Sequence, residues 1–144
     1  MRHSLVTTMA FLTSAGIASA QWSTFHGDAQ RTGRSPVAGP TAPQLQWRRQ
    51  IGPIISSPVI APDGTIVVGS VLSDALHPTL AISATNPDGT PKWSFSTGYV
   101  DTQVQSTPAV GRDGTVYVGA QDGMFYAIRP DGTLRWSFQG TQPV

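Results

Sequence analysis

The chain has 144 residues, of which 39 % are hydrophobic and 12 % charged, with a formal net charge of +1. That composition excludes a disordered chain, and 9 basic against 8 acidic residues leave no field to attract nucleic acid or anionic lipid. Cysteine is absent, which removes disulfides, thiolate metal sites, cysteine nucleophiles and a lipidated N-terminal cysteine together. Every acid is an Asp, Lys92 is the only lysine, and Gly (15) and Pro (12) are plentiful, so long helices are not expected.

Residues 1–20 read as an export signal. Arg2 and His3 precede an apolar stretch from Leu5 to Ile17, and Ala18-Ser19-Ala20 supplies the small residues of a cleavage site. The stretch is diluted by Thr and Ser and is shorter than the ~20 residues a membrane span needs. Cleavage before Gln21 is therefore expected, with the remainder exported to a periplasmic or extracellular location and no stable membrane span left behind. An extended lead-in segment, 21–44, and an unpaired outer strand, 45–50, follow.

The rest is a repeat. Ser56-Ser57-Pro58 through Gly69 recurs 50 residues later as Ser106-Thr107-Pro108 through Gly119. Asn86-Pro87-Asp88-Gly89-Thr90 through Phe95 recurs 43 residues later as Arg129-Pro130-Asp131-Gly132-Thr133 through Phe138. The offsets differ by 7, which places an insertion in the first unit, near 71–78. Each unit reads as four short strands rich in Val, Ile, Tyr, Phe and Thr. The first unit gives Ile54–Ile60, Thr65–Ser70, Leu80–Thr85 and Pro91–Ser96. The second gives Val104–Val110, Thr115–Ala120, Met124–Arg129 and Thr133–Phe138.

Asp-Gly pairs mark the turns: Asp63-Gly64, Asp88-Gly89, Asp113-Gly114, Asp122-Gly123 and Asp131-Gly132. Each suits a type I turn followed by a glycine at positive φ, the geometry that closes an antiparallel hairpin. Ile66-Val67-Val68 and Val116-Tyr117-Val118 do not alternate with polar residues, so both strands are expected to be covered on both faces. Four antiparallel strands per unit with two apolar faces predict an all-β fold of β-propeller blades. The chain divides into blade 1 (51–98) and blade 2 with a truncated linker (99–144). Two blades and one leading strand fall short of the roughly 4–8 blades a ring needs. The chain is therefore expected to be an N-terminal fragment of a larger ring rather than a self-associating unit.

The segment Ala127-Ile128-Arg129-Pro130-Asp131-Gly132-Thr133-Leu134-Arg135-Trp136 resembles the tryptophan-docking motif of the pyrroloquinoline-quinone-type propeller repeat. Ala84 through Trp93 is similar, with Thr85 where the family prefers Ile. Trp22 through Gly33 resembles the lead-in segment of exported members. The resemblance implies a ring of roughly seven or eight blades. It also implies a blade-docking role for Trp93, Trp136 and Trp47, an indole being a large apolar plate with one N–H in need of an acceptor. It points to a non-catalytic binding or assembly scaffold, as in eight-bladed outer-membrane assembly lipoproteins, with proteins or extracellular polymers as partners.

The alternative implied by the resemblance is the N-terminal part of a quinoprotein dehydrogenase, with pyrroloquinoline quinone and calcium bound. The residues speak against it for this chain, for which no catalytic residue, cofactor or metal ligand is expected. Five of the 8 aspartates directly precede Gly and are accounted for by turns. Calcium wants about 6–8 oxygen ligands, and Asp28, Asp74 and Asp101 stand apart. No zinc spacing, nucleophile elbow or phosphate loop occurs. His26, beside Trp22 and Phe25, reads as a packed, hydrogen-bonded histidine, and Arg48-Arg49 as a solvated pair.

Overall fold

A computed structural model of the chain describes residues 22–35, 38–39, 41–51, 53–54, 56–73, 78–100 and 106–140. The proposed export signal, residues 1–20, lies outside them. The described residues contain no helix and form two four-stranded antiparallel sheets. The first has the order β1 (Val59–Ile60), β2 (Ile66–Ser73), β3 (Pro78–Thr85), β4 (Pro91–Val100). The second runs β5 (Ala109–Val110), β6 (Val116–Gly119), β7 (Met124–Ile128), β8 (Leu134–Gln139). Each sheet is a meander of neighbouring strands, and tight Asp-Gly turns close both outer hairpins of each sheet.

The first strand of each sheet is shorter than the hydrophobic run suggests. In the first sheet the ladder holds only Val59↔Val67 and Ile60↔Ile66, with an isolated bridge from Ile54 to Ser70. Pro58 has no N–H to give the ladder, and Pro108 repeats this in the second sheet. Serine side chains take over there. Ser56 Oγ accepts from the Gly69 amide at 2.7 Å, and Ser106 Oγ donates to the Gly119 carbonyl at 2.5 Å. Val104 and Gln105 lie outside the described residues. The middle hairpin of the first sheet is longer than its counterpart. β2 and β3 pair as far as Ser73↔Pro78, whereas β6 and β7 stop at Gly119↔Phe125. The 7 extra residues of the first repeat thus lengthen one hairpin and leave the rest of the sheet intact.

The core lies between the sheets. Val59, Val67, Ile82 and Ala84 share one face of the first sheet, each 0–1 % exposed. They cluster with Val110, Val116, Val118, Tyr126 and Ile128 of the second sheet. Trp93 and Phe95 pack at the edge of this cluster, with the Phe95 and Tyr126 rings edge to face at 5.6 Å. Burying a valine or isoleucine side chain stabilises by about 1.5–3 kcal/mol, so this seam is the main source of cohesion among the described residues. Val67 and Val68 are both buried, so β2 is covered on both faces. β6 differs from the sequence expectation: its burial alternates, with Val116 and Val118 buried and Tyr117 partly open.

The lead-in segment ties the two sheets together. The Trp22 carbonyl accepts from the Ile60 amide and the Ser23 carbonyl from the Val110 amide, each at 2.8 Å. Ile60 and Val110 are 50 residues apart and hold the same place in the repeat. Consecutive carbonyls of one segment therefore bond equivalent strands of both sheets.

Candidate functional site

All five Asp-Gly turns have one geometry. The glycine amide bonds the carbonyl three residues back, from Gly64 to Ala61, Gly89 to Asn86, Gly114 to Gly111, Gly123 to Ala120 and Gly132 to Arg129, at 2.9–3.1 Å. Each aspartate accepts from the amide two residues on, at Thr65, Thr90, Thr115, Met124 and Thr133. The carboxylates are thus occupied locally. Hydrogen bonds from Thr90, Thr115 and Thr133 hold the carboxyls of Asp88, Asp113 and Asp131 below the usual range.

Four of these turns gather at one end of the sheets, because β1–β2 and β3–β4 close at the same end, as do β5–β6 and β7–β8. Here two indoles meet two turns. Trp47 donates its Nε1–H to the Pro87 carbonyl at 2.8 Å, and Trp93 donates to the Pro130 carbonyl at 2.8 Å. Each indole packs against the turn glycine through its Cβ, Cγ and Cδ2 atoms. A Cβ on Gly89 would sit 2.6 Å from the Trp47 ring and one on Gly132 2.7 Å from Trp93, and both glycines have φ near +90° (+87° and +89°). Only glycine meets both demands. The prolines extend the chain of contacts, with Pro87 against Gly64 and Pro130 against Gly114. Trp93 thereby joins the first sheet to the second, and Trp47 joins residues 45–50, which form no ladder among the described residues, to the first.

A repeated ion pair braces the same end. Lys92 Nζ reaches Asp63 Oδ2 at 2.6 Å and Thr65 Oγ1 at 2.7 Å. Arg135 reaches Asp113 Oδ2 at 2.9 Å and Thr115 Oγ1 at 3.0 Å. The cause is a β-bulge. Register steps from Ala84↔Trp93 to Thr85↔Pro91, leaving Lys92 as the extra residue, and from Ala127↔Trp136 to Ile128↔Leu134, leaving Arg135. A bulge re-aims its side chain, here back across the sheet. Burial pushes the Asp63 carboxyl up, but the Lys92 and Thr65 hydrogen bonds and the Lys92 charge outweigh it and bring it to about 2. The sequence marks this pair only by the basic residue directly before Trp93 and before Trp136.

Trp136 occupies the position of Trp93 in the second sheet but has no turn to rest on among the described residues. It is 44 % exposed. Its ring stacks on Phe125 and tilts against Tyr117, both at 6.1 Å. Phe125 and Phe138 stand opposite each other in the register and are also exposed. Their equivalents in the first sheet, Ile82 and Phe95, belong to the core cluster. The second sheet therefore presents an open aromatic face of Tyr117, Phe125, Trp136 and Phe138, matching by repeat the face that the first sheet buries.

No protein-family model matches the chain, and no curated protein matches it either. What bears on function is therefore the geometry of the repeat.

The lead-in loop is built around Trp22 and Asp28. A Cβ on Gly27 would lie 2.8 Å from the Trp22 ring. Asp28 accepts from the Thr32 amide at 2.9 Å and from the Thr32 hydroxyl, which keeps its carboxyl below the ordinary value. His26 lies tilted against Phe25 with ring centroids 4.1 Å apart and bonds the Arg31 carbonyl through Nδ1 at 3.1 Å. A carbonyl only accepts, so Nδ1 carries the proton. Arg49 was expected in solvent but donates to the Ala84 carbonyl and to Thr85 Oγ1, at 3.2 and 2.7 Å, holding residues 45–50 against the first sheet. Among the described residues no three His or Asp side chains gather into a metal-holding group. No helix among them is long and apolar enough to cross a membrane.

Proposed function

We propose that the chain is an exported β-propeller repeat protein of the pyrroloquinoline-quinone-like type, acting as a non-catalytic assembly scaffold whose sheets are blades. One observation carries this reading: the face through which the first sheet holds the second recurs on the second, with no other sheet against it among the described residues. Trp93 meets Pro130 and Gly132, whereas Trp136 meets, among the described residues, only neighbours within its own sheet. The occupant that fits is a further four-stranded sheet offering a Pro-Asp-Gly-Thr turn to the Trp136 indole. The turns Pro87–Gly89 and Pro130–Gly132 are taken by Trp47 and Trp93, and Pro87 sits against Gly64 of the third such turn, so the acceptor comes from another sheet of the ring. A repeated docking surface with aspartates committed to turns supports binding and assembly, with neither quinone nor calcium required.

Sedimentation of the chain beside its Phe138→Lys variant tests this. An open blade face of this kind drives concentration-dependent association of the wild type, and a charge at its most exposed aromatic position suppresses it. A wild type that stays monomeric at high concentration, indistinguishable from the variant, contradicts the reading.

A further inference from the structure

Beside the docked tryptophan, at the turn end of the two sheets, lies a cleft of about 210 Å³. Its walls are apolar: Ala61 and Val67 from the first sheet, Val116 and Pro130 from the second, and Trp93 between them. Val67 and Val116 are 1 % exposed and form fixed surfaces. Four charged side chains line the cleft: Asp63 and Lys92 pair with each other, and Asp113 pairs with Arg135, which stands outside the lining. The fourth, Arg112, has no hydrogen-bond or ion-pair partner among the described residues. It is carried at the tip of the Gly111–Gly114 turn, where the first repeat has Pro62, so this charge breaks the repeat symmetry of an otherwise neutralised rim.

Size and charge together define a ligand. A cavity of about 150 Å³ lined by apolar side chains holds benzene, so this cleft has room for an aromatic ring with a short alkyl arm. An exposed arginine at the mouth of an apolar, half-open cleft favours a carboxylate, which it meets with two parallel N–H donors. We infer that the cleft between the sheets binds a small aryl-alkyl carboxylate, its ring between Val67, Val116 and Trp93 and its carboxylate on Arg112. The site needs only the two sheets as they stand and is independent of ring closure.

The test is a titration of the isotope-labelled chain, followed by amide and arginine Nε shifts, with 3-phenylpropanoate, 3-phenylpropan-1-ol and propanoate. The acid saturates with a Kd of about a millimolar, as its size allows, and moves Val67, Val116 and Arg112 together. The alcohol binds at least about tenfold more weakly, since it lacks the charged hydrogen bonds, and propanoate, without a ring, does not saturate. Arg112→Gln, a substitution on an exposed turn that leaves thermal unfolding unchanged, brings acid and alcohol to equal affinity. Undiminished binding of the acid by Arg112→Gln overturns the inference, as do equal affinities for acid and alcohol in the wild type. Shifts confined to other residues, or no saturation by the acid, overturn it as well.

Discussion

Trp93 and Pro130, on different sheets, are joined by an indole hydrogen bond of 2.8 Å, and Trp47 and Pro87 repeat the same bond at the same length. Trp136 sits in the matching position with its ring stacked inside its own sheet. Three residues of one type at equivalent places in a repeat therefore carry unequal energetic weight. Trp93→Ala removes a partly buried indole, a cross-sheet hydrogen bond and a wall of the core, at a cost of about 2–4 kcal/mol. Trp136→Ala costs less than about 1 kcal/mol, as for other exposed sites. Denaturant unfolding of the two variants checks this. Equal losses would mean that the contact across the sheets is not what holds them.

The turn glycine under each docked indole is the second determinant. Gly132→Ala forces a side chain into positive φ and into the Trp93 ring, which stands 2.7 Å from the new carbon. Together these cost about 2–3 kcal/mol. Gly39→Ala, where nothing lies within 4 Å, is the control and stays within about 0.5 kcal/mol. Thermal unfolding of both decides it, and equal destabilisation would sink the steric argument.

The four-strand meander, the turns and the unequal hairpin lengths were legible in the sequence because each has a local cause. Asp-Gly followed by Thr closes a hairpin wherever it occurs, and a 7-residue difference in offset has one place to go. The coverage of β6 was not legible. Val116-Tyr117-Val118 and Ile66-Val67-Val68 have the same apolar pattern, yet only β2 is buried on both faces, because burial depends on what stands opposite. The Lys92–Asp63 pair was missed for a different reason. It joins residues 29 apart through a bulge, and a bulge leaves no periodicity in the sequence.

Acid should weaken the turn end. The folded-state pKa of Asp63 is depressed, from an ordinary value of 3.8 to about 2. A depressed carboxyl contributes stability that is fully present above its unfolded pKa and is lost as pH falls through the folded one. Tm should therefore decline between about pH 4 and pH 2, and Asp63→Asn should flatten that decline while lowering Tm at neutral pH. An identical acid limb in the variant would show that the Lys92 bridge has no linkage to folding.

The most direct test of the blade reading is to supply a further sheet. A second copy of residues 99–144 is fused after Val144, and hydrogen exchange of the Trp136 indole N–H is compared in the two proteins. Docking onto the Pro-Asp-Gly turn of the added sheet gives that N–H an acceptor, as Pro130 does for Trp93. Exchange at Trp136 should then slow by at least about tenfold, with the exposed indole passing to the tryptophan of the added copy. Were the added sheet to fold, as reported by a gain in β-sheet circular dichroism, with Trp136 exchanging as fast as before, the two sheets would not be blades of one ring.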